Sequence, residues 1–458
     1  MTTKAIRRAF AEFLTVPTSI IAGFLLLSIG AVAVEQSTLP GVVAVRRALA
    51  DHGFGDAEAT SQVLGGIAAG LITVTSITFS LLLLAVQQSA AALSSQVFDQ
   101  FLRRRLNQVF FGYFVGLALY ALLVLATIRP DFNPILGAAL AVLLTSVALY
   151  FLVLLIYMTI DQARPAVVVK AIHDHTLAAR DRQLPLIRQT RRAPLLRGAA
   201  VPVHAGDHGF VVGIDIAAIR AAIGDNQHDT EVVLNLAIGS FVAFGDPLAE
   251  ITAPAGRSVD ALAATVRGAI ALDRIRDLDV DPVYGIHQLM TVAWRSVSTS
   301  QQNPAPGLLV VDMLRDLLAR WSAESDDPDP PPDDPPAPVV YQDDLFPELL
   351  DAFESIAVVA SESMQHQTCA AVVRVLATMF DRLPPDHQPR AEDLVRRLLS
   401  GLGDHVLTAK LESALTALAD TLSAAGSPET AAAVRVAPAK LSLSVGELNS
   451  RATRVPSG

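Results

Sequence analysis

The sequence predicts an α-helical integral membrane domain of four spans, followed by a cytosolic α+β part with a small β module and helical domains. Of its 458 residues, 52% are hydrophobic and only 17% are charged, whereas soluble chains are usually about one quarter charged. The mean hydropathy is +0.43. The longest apolar runs all lie in the first third of the chain. We therefore expect a transmembrane domain over residues 1–160 and soluble elements after it.

Four stretches reach the length of about 20 apolar residues that a helix needs to cross a bilayer. They are residues 16–34, 63–87, 109–128 and 134–159. The first follows Lys4, Arg7 and Arg8, as a signal peptide would. Its apolar run is longer than the usual signal core, however, and no convincing small-residue cleavage site follows it. We expect it to be retained as a span.

The distribution of basic residues predicts the orientation of the spans. Residues 103–105, between the second and third spans, are all arginine, and seven more basic residues follow the fourth span between positions 164 and 192. The opposite loops contain only Arg46, Arg47 and Arg129. By the positive-inside rule, both termini are expected in the cytoplasm, with the spans in the cell (inner or plasma) membrane.

The four spans contain no Asp, Glu, Lys, Arg or His. Ionisable residues within a membrane are typical of proton relays and ion-coupled pumps, so their absence counts against a proton-coupled transporter. A pathway lined by hydroxyl groups and dipoles remains compatible with such spans.

The second span carries hydroxyl groups in "LITVTSITFSLLLLAVQQS", residues 71–89. At 100° per residue, one face of this helix collects small and polar side chains, interrupted by Leu84. They are Gly66, Gly70, Thr73, Ser76, Ser80 and Gln87. Such a face suits close packing between helices, or it lines a pore to which each subunit of an oligomer contributes. On the second interpretation, Thr73, Ser76, Ser80 and Gln87 are the pore-lining candidates. The helix is expected to continue past the span toward residue 108.

Residues 70–130 resemble the DUF2254 family of bacterial membrane proteins. The resemblance lies in the long hydroxyl-bearing helix, the basic turn with Asn107 and Gln108, and the following span with glycine and tyrosine. It extends over roughly residues 10–400. The family has no established biochemical activity, so the resemblance implies a membrane protein without implying a reaction.

A second stretch is also similar to this family. Its pattern Asp-Pro-x-x-Gly-Ile-x-Gln-Leu matches residues 281–289, which include Asp281 and Gln288. The family then tends to have Asn-Asp-Pro, where this chain has Gln302 and Asn303 before proline. We interpret residues 298–306 mainly as a turn with a helix cap. The alternative is a polar ligand or ion site built from Asp281, Gln288, Gln302 and Asn303.

Residues 200–256 change to short β-like runs separated by glycine and aspartate. They are similar to the barrel-sandwich fold of lipoyl and biotinyl domains, in which Gly239 and Gly245 would suit tight turns and Pro247 an edge strand. Domains of that kind carry their cofactor on lysine, but no lysine lies between Lys170 and Lys410. We therefore expect a structural or small-ligand-binding module without a cofactor.

The remaining segments follow from composition. Residues 161–199 are a basic juxtamembrane segment, 257–322 a helical region, 323–344 an acidic Pro-rich linker, 345–437 a C-terminal helical domain and 438–458 a disordered tail. His173 and His175 are two residues apart on an expected helix, so their imidazoles diverge by about 200° and do not form a metal pair. Cys369 is the only cysteine, which excludes an internal disulfide.

These patterns contain no catalytic signature and no metal motif, and we expect no enzyme activity. The net charge of −10 argues against nucleic acid as a partner. Two hypotheses remain. The first is an oligomeric channel-like conduit for an ion or small solute, gated by its cytosolic part. The second is a non-conducting membrane scaffold or sensor that recruits a cytosolic partner or ligand. In both, the lipid bilayer and further copies of the chain are the expected partners.

Overall fold

The computed structural model describes residues 14–54, 56–92, 105–130, 132–162, 164–224, 229–254, 258–298, 303–326, 336–402 and 406–444. They fall into two compact units, which we call the membrane unit (up to Val167) and the soluble unit (from Val168 onward). Each unit contains a hydrophobic core of its own.

The membrane unit consists of helices. They are α1 (Thr15–Glu35), α2 (Pro40–Leu49), α3 (Ala57–Ala92), α4 (Arg105–Leu125) and α5 (Ile135–Gln162). Four of them, α1, α3, α4 and α5, are long and apolar enough to cross a membrane, which confirms the four predicted spans. Helix α3 continues past its span to Ala92, and residues 93–104, which carry most of its predicted extension, lie outside the described residues.

Helix α4 lies at the centre of this unit. In its apolar window 56% of the residues are buried, against 17% in each of the other three spans. Gly112 and Gly116 allow α1 to approach closely, because a Cβ atom at Gly112 would lie 2.9 Å from the Cα of Pro17 and one at Gly116 would overlap the ring of Phe24. Small residues thus bring α1 against the central helix, and large apolar side chains such as Leu26 point outward.

Polar groups tie the helices together at one end of the unit. The hydroxyl of Tyr120 donates to the carbonyl of Gly137 at 3.0 Å, and the buried carboxylate of Glu35 accepts the N–H of Leu136 at 2.8 Å. The predicted first span stopped at residue 34, but α1 includes Glu35 as its last residue. Its carboxylate satisfies a free N–H at the start of α5, where helices leave such groups unpaired.

The soluble unit begins with a long helix and a β module. Its elements are α6 (Pro165–Gln189), β1 (Ala200–His204), β2 (Gly209–Ile214), α7 (Ile216–Ile223), β3 (Glu231–Leu234), β4 (Phe241–Val242), β5 (Pro247–Thr252), α8 (Asp260–Ala269), β6 (Ile270–Asp273) and β7 (Val339–Val340). The strands form one sheet in the order β1-β5-β3-β7 and a second in the order β4-β2-β6.

A barrel-sandwich fold is not confirmed. Helix α7 separates β2 from β3, because Asp215 caps it through the N–H of Ala218 at 2.9 Å and its isoleucines at helical spacing are buried. Gly239 and Gly245 do occupy turns with positive φ, as predicted. Pro247, however, begins β5, which pairs with strands on both sides. The edge-strand prediction for Pro247 is therefore wrong, and the first position of a strand is where a central strand tolerates proline.

Both ends of the predicted linker 323–344 are structured. The helix before it runs to Asp326, and β7 pairs in parallel with β3, with Tyr341 buried in the β core. Only residues 327–335 lie outside the described residues. The apolar pair Val339–Val340 explains the difference, since it fills the edge of the sheet although the surrounding composition is that of a linker.

The helices on either side of this segment pack together. They are α9 (Pro282–Val297), α10 (Ala305–Asp326), α11 (Leu345–Glu362), α12 (His366–Met379), α13 (Gln388–Gly401), α14 (Ala409–Ala424) and α15 (Pro428–Ser444). Helix α9 contacts α10 and α11, and α10 contacts α12. The part of the predicted helical region 257–322 that starts at Pro282 therefore forms one helical body with the predicted domain 345–437. Its first part is not a separate helical region, because α8 and β6 pack in the core of the β module. Helix α15 runs past residue 437 into the predicted tail 438–458, of which residues 445–458 lie outside the described ones.

We expect Gly285→Ala to lower the free energy of unfolding of the soluble unit by about 2 kcal/mol, because a Cβ atom there would collide with the side chain of Thr176 on α6. Gly268→Ala is the matched control, since nothing lies within 4 Å of its added Cβ. The control should be neutral or slightly stabilising. Tryptophan fluorescence during denaturant unfolding measures both, because Trp294 and Trp321, the only tryptophans, lie in this unit.

A second substitution, Thr176→Ala, should restore part of the stability lost in Gly285→Ala by removing two of the three colliding atoms. Equal unfolding curves for Gly285→Ala and Gly268→Ala would contradict this account of the close contact.

Candidate functional site

Helix α3 carries the predicted hydroxyl face on its surface. Thr73, Ser76 and Ser80 are all exposed. The Thr73 hydroxyl donates to the carbonyl of Ala69 at 2.8 Å, and the Ser80 hydroxyl donates to the carbonyl of Ser76 at 3.0 Å. Because these donors are satisfied within the helix, they can face lipid or another helix at low cost and still offer oxygen atoms to a water-filled path. The side chain of Gln87 lies outside the described residues.

The glycines of the same face are uncovered. A Cβ atom at Gly66 or Gly70 would meet nothing within 4 Å. Both glycines border a groove of about 390 Å³ between α3 and α5, which Thr145 also lines. Ile77 falls on this face too and is 54% exposed. The face is therefore smooth and partly apolar, and within one copy of the described residues no other helix covers it.

The interior of the membrane unit is closed to polar solutes. Phe114, Leu117 and Tyr120 of α4 are at most 2% exposed and fill the space among the spans. The core cluster of the described membrane helices consists of apolar and aromatic side chains. The space among the described membrane helices is therefore filled by apolar side chains.

The motif residue Asp281 is a structural cap. Its side chain is almost fully buried, and Oδ1 accepts the N–H of Tyr284 at 2.9 Å at the start of α9. Its other oxygen accepts a hydrogen bond from Nε of Arg276 at 2.7 Å. Pro282 occupies the first helical position, where its missing N–H costs nothing. Both carboxylate oxygens are thus engaged within the protein.

Arg276 connects this cap to three further residues, Gly239, Tyr284 and His287. Gly239, with φ of +91°, lies so close that a Cβ atom there would overlap the Asp281 carboxylate and lie 2.7 Å from Nη2 of Arg276. The guanidinium group of Arg276 also lies over the ring of Tyr284, with its Cζ atom 4.9 Å from the ring centroid. Its Nη1 donates to Nδ1 of His287 at 2.9 Å.

His287 passes this connection on to α11. Because arginine only donates, Nδ1 of His287 must accept, and the ring proton lies on Nε2. Nε2 then donates to Oε2 of Glu348 at 2.7 Å. This hydrogen bond outweighs partial burial and holds the pKa of Glu348 below its usual value. Hydrogen bonds thus join Asp281, Arg276, His287 and Glu348 in series and hold α9 against α11.

The described members of the predicted ligand set, Asp281, Gln288 and Asn303, have different local surroundings. Asn303 accepts the N–H of Ala305 at 3.2 Å and so caps α10, in agreement with the interpretation of a turn and cap. Gln288 lies on α9, and its Oε1 is buried without a hydrogen-bond partner among the described residues. Gln302 lies outside the described residues.

A second buried cation ties α6 to the rest of the soluble unit. Arg180 retains 10% of its side-chain exposure and binds two carboxylates, Glu324 of α10 at 2.9 Å and Asp343 at 2.6 Å. Burial alone would lower its pKa, but these two charges outweigh burial and raise it. Gln183, one turn further along α6, donates to the Tyr341 hydroxyl at 3.0 Å. Sequence reasoning missed Arg180 because its carboxylates lie 144 and 163 positions away along the chain. It also missed Arg276, although Asp281 is only five positions further along.

The histidines of α6 bind separate carboxylates, as their predicted divergence requires. His173 faces Asp316 on α10 at 2.9 Å, and His175 faces Asp279 at 3.2 Å. Burial raises the pKa of Asp316, but hydrogen bonds and charges from Arg320 and His173 outweigh it, so this pKa lies below its usual value. Among the described residues, no group of three or more His, Cys, Asp or Glu side chains could hold a metal ion.

A comparison of the sequence with protein-family models finds a family that spans both the membrane unit and most of the soluble unit. The profile described as "Predicted membrane protein (DUF2254)" matches residues 11–378, so it covers the spans, the β module and the motif at Asp281. The chain belongs to the DUF2254 family. Neither a curated protein nor a solved structure matches this DUF2254 protein. Asp281 and Gly285 lie within the matched range and fix α9 against its neighbours.

We expect Arg180→Met to destabilise the soluble unit of this DUF2254 protein by about 3–5 kcal/mol, because it leaves two partly buried carboxylates without their cation. Arg320→Met removes an exposed ion pair on α10 and should change stability little. Denaturant unfolding followed by tryptophan fluorescence compares the two. Similar losses in both variants would show that the Arg180 contacts add no more than an exposed pair does.

Proposed function

We propose that the protein is an oligomeric channel-like conduit whose path forms between copies, with the hydroxyl face of α3 lining it. The observation that supports this proposal is the exposure of Thr73, Ser76 and Ser80 on an uncharged span whose glycines no neighbouring helix covers. The filled core around α4 supports a path outside the single copy. An uncharged hydroxyl lining would pass a small solute or a weakly selected ion.

The soluble unit would assemble beneath this path and control it. The contacts of α6 support such a role, because α6 follows the last span in the sequence and is held by Arg180, His173 and the close approach of Gly285. A displacement of the helical body would therefore be passed to α6 as a whole rather than absorbed within it.

A test of the conduit measures ion flux and osmolyte release from liposomes that contain the purified full-length chain. Ser76→Leu should reduce either signal at least tenfold by placing a bulky apolar group on the path. Ser146→Leu is the matched control, because Ser146 is an exposed serine on α5, outside the hydroxyl face of α3. Absence of any flux across pH, tension and voltage would sink the proposal.

One observation favours the alternative of a non-conducting scaffold or sensor. The hydroxyl groups of Thr73 and Ser80 bond within α3, as expected of a smooth face used for helix packing. On this alternative, Ser76→Leu alters the oligomer measured by light scattering in detergent instead of a flux. A variant that keeps its oligomer and loses flux supports the conduit.

We also propose that both termini and the soluble unit lie in the cytoplasm, with the spans in the plasma membrane. The arginines at 103–105 and after the fourth span support this orientation. Protease added outside intact cells should leave the soluble unit uncut and should degrade it once the membrane is permeabilised. Cleavage of this unit in intact cells would reverse the proposed orientation.

A further inference from the structure

The segment between α6 and β1 presents an unusual surface. The sequence between Asp181 and Asp207 contains five arginines and no acidic residue. In the middle of it, Leu195 is 70% exposed. Arg192 and Arg197 are exposed on either side of this leucine in the sequence. We call residues 191–198 the Arg-Leu loop.

The Arg-Leu loop is held firmly although its side chains project. The carboxylate of Glu231 is 1% exposed and accepts the N–H groups of Leu195 at 3.0 Å and Leu196 at 3.1 Å. The same carboxylate binds Arg191 at 3.0 Å. A buried ion placed to fix a loop is costly unless its oxygens are satisfied in this way.

The other side of the loop is fixed by the segment around β7. The N–H of Arg191 donates to the carbonyl of Val339 at 2.8 Å, and Tyr341 donates its N–H to the carbonyl of Arg191 at 3.0 Å. The Gln342 side chain donates to the carbonyl of Arg192 at 2.8 Å. Leu195 is therefore exposed on a backbone that hydrogen bonds hold in place.

A projecting apolar side chain with arginines beside it has the chemistry that binds an anionic lipid surface. The leucine enters the boundary between headgroups and acyl chains, and each arginine pairs with lipid phosphates. Arg191 is already paired with Glu231, so Arg192 and Arg197 supply the charge. We propose that the Arg-Leu loop docks on the surface of a bilayer that contains anionic phospholipid, through Leu195, Arg192 and Arg197.

The charge of the loop separates this occupant from a second copy of the chain. The whole chain carries a net charge of −10. A symmetric contact between two copies, however, would place one Arg-Leu loop against another, and their arginines would repel each other. Anionic headgroups supply a dense negative surface that matches it without any partner-specific shape. The proposal does not depend on the proposed conduit.

The test places a fluorophore at Leu195→Cys in the full-length chain in lipid nanodiscs. The native Cys369 need not be removed, because burial raises the pKa of its thiol to about 12 and keeps it from reacting with the label. Brominated acyl chains in the nanodisc quench a fluorophore that enters the bilayer. The label at Val436→Cys, an exposed site on α15, is the positional control.

We expect strong quenching at position 195 when phosphatidylglycerol is present and little in phosphatidylcholine alone. Arg192→Gln with Arg197→Gln should lower the ratio of docked to undocked loop by about 25-fold, or about fivefold for each arginine. Arg274→Gln with Arg315→Gln removes the same charge from exposed sites elsewhere and should leave the quenching unchanged.

Three outcomes would overturn the proposal. Quenching at position 195 that equals the Val436 control would show that the loop does not reach lipid. Equal quenching in neutral and anionic nanodiscs would remove the role of the arginines. Burial of the label in detergent that rises with protein concentration would assign the surface to a second copy.

Discussion

The contact between Asp281 and Arg276 sets the arrangement of the soluble unit. Asp281 caps α9 and binds Arg276. Arg276 in turn contacts Gly239 of the β module and hydrogen-bonds to His287, which connects to α11. The ion pair is nearly dry, so removing one partner would leave the other charge in a poorly solvated place. Gly285 on the same helix adds a second constraint, because it lets α9 lie directly against Thr176 of α6. The placement of four elements therefore depends on a few atoms.

In the membrane unit many polar groups are satisfied locally, although Oε1 of Glu35 and Oδ1 of Asn133 are buried without a hydrogen-bond partner among the described residues. Hydroxyl groups on α3 return to their own backbone, and Tyr120 and Glu35 tie helix ends to each other. In a medium without water each of these groups would be costly if left unpaired. The hydroxyl face of α3 is therefore uncovered within the described membrane helices while its hydroxyl donors remain paired.

Sequence patterns predicted the local features and missed the distant ones. The four spans follow from length and hydropathy, and the cap at Asn303 follows from a short polar stretch before a helix. The β module was placed at its strands, but its fold was not predicted, because α7 reads as a strand-like isoleucine run and β7 lies beyond an acidic Pro-rich stretch. Arg180 was missed because it pairs with residues 144 and 163 positions away, a separation that no local pattern contains.

The parallel pairing of β7 with β3 also determines when the β module can fold during synthesis. Gln342 hydrogen-bonds to Arg192 across 150 residues of chain, so the β core cannot close until Tyr341 has left the ribosome. At about 5–20 residues per second this takes roughly 8–30 seconds. During that time the last span is already made, and the edge of β3 is open to other chains. The β module of a nascent chain is thus completed only when Val339 and Val340 emerge and cover the edge of β3.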